Sequence, residues 1–143
     1  FDNIDFLRLI KHLEFRGWQR EETVRVVDTD AATAAKYLTP FFIADRPYNV
    51  VKVTERHRTA GSDGGAVNFN VMKVTSGSAV DNGISLLDVG LSLKTTADTN
   101  QDGKLITALG IGVLKGGDSL SLKSQGTLTA VVGVVVRVTL EAI

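Results

Sequence analysis

Leu128-Thr129-Ala130-Val131-Val132-Gly133-Val134-Val135-Val136-Arg137-Val138-Thr139-Leu140 is the longest run of strict alternation in the chain. Leu128, Ala130, Val132, Val134, Val136, Val138 and Leu140 share one parity. Successive side chains of a strand point to opposite faces, so this spacing predicts a strand with one face in a core. At roughly 3.3 Å per residue it would span about 40 Å, longer than most strands of a small domain. Gly133 is expected to bend or bulge it. The other parity carries Val131 and Val135 before turning polar at Arg137, Thr139 and Glu141. The middle of the strand is therefore expected to be covered on both faces, and Val131 and Val135 are the candidates for self-association.

The same period of two extends back to Tyr48. Asn49, Val51, Val53 and Glu55 alternate with Val50, Lys52, Thr54 and Arg56, Gly61-Ser62-Asp63-Gly64-Gly65 supplies a turn, and Val67, Phe69 and Val71 follow on one face. Beyond Asp81-Asn82-Gly83, further apolar faces fall at Leu87, Val89, Leu91 and Leu93, and at Leu109, Ile111 and Val113. Gly116-Gly117 then turns the chain into Leu120 and Leu122. Turn signals at intervals of about eight to fifteen residues predict a mainly β domain over residues 48–143, an antiparallel jelly-roll-like β-sandwich.

Residues 1–47 read differently. Ile4, Leu7, Ile10, Leu13, Phe15 and Trp18, with Phe6 and Leu9, recur at helical spacings, while Asp5, Arg8, His12 and Arg16 fall on one polar stripe. This predicts an N-terminal helix whose apolar coverage exceeds what one sheet needs. Ile4, Leu7, Ile10, Leu13 and Trp18 are accordingly the candidate residues for docking on a partner. From Arg20 to Pro47 the pattern weakens to a short β-like run at Val24–Val27 and a small-residue stretch, read as a connecting arm. Phe1 is an unusual first residue, so further residues are expected to precede it.

The chain of 143 residues carries 16 basic and 16 acidic side chains and no cysteine. Balanced charge gives no global pull toward nucleic acid or anionic lipid, and no apolar run approaches the roughly 18 residues of a membrane span. Without cysteine, disulfides and thiolate metal sites are excluded.

Catalytic signals are weak throughout. Asp98-Thr99-Asn100-Gln101-Asp102-Gly103 matches the first half of a calcium loop, with Asp98, Asn100 and Asp102 as candidate oxygen ligands. Its twelfth position, however, is Leu109, where a bidentate glutamate is needed, and an Asx-rich turn is the competing reading. His12 and His57 are too few for a histidine cage and are expected at the surface or an interface. Ser62, Ser76 and Ser78 lie in no nucleophile motif. The residues advertise no enzyme and no cofactor.

Several segments together resemble the trimeric capsid decoration (cement) and head-fibre proteins of tailed bacteriophages. They are Val51-Lys52-Val53-Thr54-Glu55-Arg56-His57, Ala60-Gly61-Ser62-Asp63-Gly64, Val71-Met72-Lys73-Val74, Gly83 with Leu86-Leu87, Gly117-Asp118 with Leu120, and Gly126-Thr127-Leu128 leading into Val134–Leu140. The resemblance covers about two thirds of the chain, from Tyr48 onward. It implies a homotrimer on the outer surface of the virion, bound to the major capsid protein, without catalysis or cofactor. A host-receptor or carbohydrate-binding module of a phage fibre or tail is the alternative, with the loops Gly61–Gly65 and Thr95–Gly103 as its contact points.

Overall fold

The computed structural model describes residues 21–143. Two antiparallel sheets enclose one core, which makes the fold a β-sandwich. The first sheet holds β1 (Glu21–Val27), β3 (Tyr48–Thr59), β7 (Gln101–Asp102), β8 (Val113–Leu114) and β10 (Val132–Ala142). The second holds β2 (Phe42–Ile43), β4 (Asn68–Val74), β5 (Ile84–Ser85), β6 (Leu91–Ser92) and β9 (Ser119–Gln125). Strand order is β1-β10-β3-β7 in the first, with β8 also on β3, and β2-β9-β4-β5 in the second, with β6 also on β4. Short 3-10 turns lie at Ala34–Leu38 and Val80–Asn82.

The core is what the alternating residues of the long strands supply. Val53, Phe69, Val71, Leu120, Leu122, Val134, Val136, Val138 and Leu140 are all sealed from solvent. Each contributes about 1.5–3 kcal/mol of burial to the folded state before entropy is counted. Tyr37 closes one flank with its ring edge-on to Phe69, centroids 4.7 Å apart.

Three expectations require correction. The final strand begins at Val132, because a turn at Leu128–Val131 precedes it: the Val131 N–H donates to the Leu128 carbonyl at 3.2 Å, and Ala130 sits at φ 67°. That turn exchanges the parity, so Val131 packs in the chain's own core at 1% exposure and presents nothing for self-association. Gly133 does take a left-handed φ of 69°, yet pairing with β3 keeps one register from Val132–Thr59 to Thr139–Lys52. The bulge lies instead on β3, where Val51 is the extra residue and the register shifts between Thr139 and Leu140.

The segment read as a connecting arm also belongs to the sandwich from Glu21 onward. β1 pairs with β10 at seven positions, and Ala32, Tyr37 and Ala44 are buried in the core. Of the apolar faces read further on, Leu87, Leu91 and Leu93 are buried, but Val89 and Leu109 are exposed on loops. The helix expected at the N-terminus, with Ile4, Leu7, Ile10, Leu13 and Trp18, falls outside the described residues.

Candidate functional site

The bulge at Val51 determines what β3 turns inward. Before it the buried residues are Tyr48 and Val50; Val51 and Lys52 are both exposed; after it the buried set is Val53, Glu55 and His57. An acid and a histidine thus enter the sandwich interior, each with a fully buried side chain. His57 was expected at a surface, and a strict count of two from Asn49 does not reveal the extra residue that carries it inside.

These two groups form a closed network. His57 Nδ1 lies 2.7 Å from Glu55 Oε1 and 3.0 Å from Oε2, and Nε2 lies 2.9 Å from the Thr95 carbonyl oxygen. A carbonyl only accepts, so Nε2 carries a proton; a second proton lies between Nδ1 and the Glu55 carboxyl. Whichever side holds it, the pair is neutral as a unit, which is what lets it stay buried. Gln101 Nε2 donates to Glu55 Oε1 at 2.8 Å and to the Ser92 carbonyl at 2.6 Å. Backbone bonds from Asp98 N–H to His57 O and from Gly103 N–H to Val53 O, both 2.8 Å, complete the attachment. The network fastens the Ser92–Gly103 segment to β3.

That attachment disperses the candidate calcium ligands. Asp98 faces Arg56, 3.9 Å away, while Asp102 accepts from the Thr54 hydroxyl at 2.9 Å and lies 3.7 Å from Lys52. Asn100 lines a shallow depression with Arg25, Arg56 and Arg137. The two carboxylates are committed to successive cations along β3 and do not converge. Among the described residues no group of three histidine or acidic side chains is placed to hold a metal.

Two tyrosines tie the β1 edge to the core. The Tyr37 hydroxyl donates to Asp28 Oδ2 at 2.7 Å, and Lys36 Nζ to the same oxygen at 3.0 Å. Burial pushes the Asp28 carboxyl up, but bonds from the Asp30 N–H, Tyr37 and Lys36 outweigh it and hold the group below the usual carboxylate value. Tyr48 donates to Asp45 Oδ1 at 2.7 Å and lies 3.1 Å from Glu22 Oε2. Those acceptors, Asp45 foremost, together with burial, push its hydroxyl up to about 12.

Among the described residues, these surfaces stand out. A groove of about 520 Å³ runs past Leu38, Pro40, Ile43, Val74 and the Thr75–Asp81 turn, with Leu38 44% and Ile43 68% exposed at its rim. A second, lined by Asn68, Asn70, Met72, Lys123 and Gln125, crosses the outer face of the second sheet, and Asn70 Oδ1 there has no partner among the described residues. The third is the outer face of the first sheet, where Val135 is half-buried beside Arg25 and Arg137. No helix among the described residues is long and apolar enough to cross a membrane.

No protein-family model matches the chain, and no characterised protein matches it by sequence. In fold, the chain is similar to a chain of the "Cyanophage Pam1 capsid asymmetric unit" at a TM-score of 0.50 and 15% identity. The likeness covers 87% of this chain and 84% of that one. At this identity the likeness speaks to the fold alone.

Proposed function

We propose that the chain is a structural virion protein of the capsid-decoration (cement) class, sitting as homotrimers on the outer surface of the head and bound to the major capsid protein. The supporting observation is that the sandwich parallels, over most of both chains, one found in a cyanophage capsid asymmetric unit. In this reading the protein is not an enzyme and needs no cofactor. It works by covering apolar surface across neighbouring shell subunits, at about 25 cal/mol per Å² of area removed from water, repeated over many copies. Ile4, Leu7, Ile10, Leu13 and Trp18 are proposed as the attachment residues on the strength of their spacing.

The test compares particles bearing the wild-type chain with particles offered a Leu7→Asp/Ile10→Asp variant. Wild type is expected to co-sediment with shells, and the variant to remain in the supernatant while its β-domain still melts cooperatively. Equal retention of both chains on shells would remove the docking role.

A second reading, a host-receptor or carbohydrate-binding module, draws on the amide-lined groove of Asn68, Asn70 and Gln125 with its unpartnered Asn70 Oδ1. It predicts glycan binding that is lost in Asn70→Ala. The first reading predicts none.

A further inference from the structure

The outer face of the first sheet holds two local conflicts of opposite sign. In the register of β1 with β10, Glu21 is directly opposite Glu141, Thr23 opposite Thr139, and Arg25 opposite Arg137. All six fall on one parity and point away from the core, with Glu21, Thr23, Arg25 and Arg137 exposed and Thr139 and Glu141 half-buried. Like charges directly opposite on neighbouring strands destabilise a sheet, because their Cβ atoms lie only about 4.5–5.5 Å apart. Here an acidic and a basic pair lie four residues apart on the same two strands, a separation of about 13 Å.

Of the other charges of this face, Arg56 faces Asp98 and Lys52 faces Asp102, while Arg58 is exposed at the far end of β3. Among the described residues, Glu21, Glu141, Arg25 and Arg137 have no side-chain hydrogen bond or ion pair. Like charges set directly opposite each other on neighbouring strands, with no partner among the described residues, carry a conflict that a second chain can resolve.

We infer that this face is a contact surface for a second copy of the chain, related by a twofold axis that sets Glu21 and Glu141 of each copy against Arg25 and Arg137 of the other. An axis lying between two stacked sheets, perpendicular to the strands and level with Thr23 and Thr139, reverses strand direction while keeping β1 over β1 and β10 over β10. Each acidic pair then lies over a basic pair, twice per contact, and the small neutral threonines meet at the axis. Sheets stack at about 10 Å, a gap that an arginine and a glutamate side chain span between them.

The contact is isologous, so it joins copies across a twofold and is distinct from the head-to-tail surfaces that close a threefold ring. Two strands of seven residues bury far less than the roughly 800 Å² per partner of a standard interface. The association is therefore weak, salt-sensitive and strengthened wherever copies are held side by side. It goes beyond the virion reading and stands whether or not the protein coats a capsid.

Charge exchange on the full chain tests it. Arg25→Glu/Arg137→Glu makes both opposed pairs acidic, and Glu21→Arg/Glu141→Arg makes both basic. Sedimentation velocity at low salt is expected to find that each variant alone has lost the wild type's salt-sensitive association, with any threefold assembly retained. An equimolar mixture of the two is expected to associate at least as tightly as wild type and to dissociate in high salt. A control acidic variant, Lys94→Glu/Lys123→Glu, carries the same change in charge off this face and is expected not to associate with the basic variant. Thermal melts confirm that every variant is folded. The inference is overturned if the two face variants fail to associate on mixing, or if the control mixture associates equally well.

Discussion

The Glu55 and His57 side chains bond to each other in a space closed to water, so their contribution depends on each other's presence. Glu55→Ala leaves the imidazole donating toward nothing on its Nδ1 side and is expected to cost about 3–5 kcal/mol in urea unfolding. Glu55→Leu/His57→Leu removes both polar groups together. It should cost clearly less than the sum of the single changes, with the Thr95 carbonyl as the main group left unpaired. Additive losses would mean that the two side chains act separately. Asp28 gives a pH-dependent counterpart. Its carboxyl is held below its usual 3.8, so its stabilisation is fully present above that value and is lost as pH falls through the lower folded one. Asp28→Asn is expected to cost about 1–3 kcal/mol at neutral pH. The gap between the two melting curves should close progressively in acid, and a gap that widened there would refute the assignment. At this scale the sequence misleads about His57, whose flanking charges Arg56 and Arg58 suit a surface. Its burial becomes evident only once the extra residue at Val51 is counted.

At the scale of elements, that extra residue is the main lesson. The alternation from Asn49 to Arg56 is legible as a strand, but nothing in it marks where the inward set changes from even to odd numbers. Val51 and Val53 look equivalent in sequence, yet Val51 is 44% exposed and Val53 fully buried. Val51→Lys is therefore expected to stay within about 0.5 kcal/mol of wild type, whereas Val53→Lys should cost more than about 4 kcal/mol or prevent folding. Equal sensitivity of the two in urea titrations would show that the bulge is misplaced. The long strands β4, β9 and β10 were readable because their alternation runs long enough to establish a period. The two-residue strands β5 to β8 are not, since two residues define no period, and the alternation through Val89 and Leu109 suggests apolar faces that the loops do not form. β1 is legible only from Val24 because its first residues, Glu21 and Glu22, are the charged start of an edge strand.

For the whole molecule, class and role separate cleanly. An antiparallel mainly β fold follows from the period of two and the spacing of turns. Where the sandwich sits on a larger assembly depends on surfaces, and surface residues carry little periodic signal. The self-association read from Val131 fails because a single turn moves that side chain into the core. The charge conflict that replaces it becomes visible only when β1 and β10 are placed in register. The central claim is that this sandwich works as a part of a virus shell, and direct imaging of intact particles carrying the full chain tests it most sharply. Density for the sandwich is expected at repeating, symmetry-related positions on the outside of the head. Particles whose heads are bare, with the protein absent or confined to the tail, would contradict it.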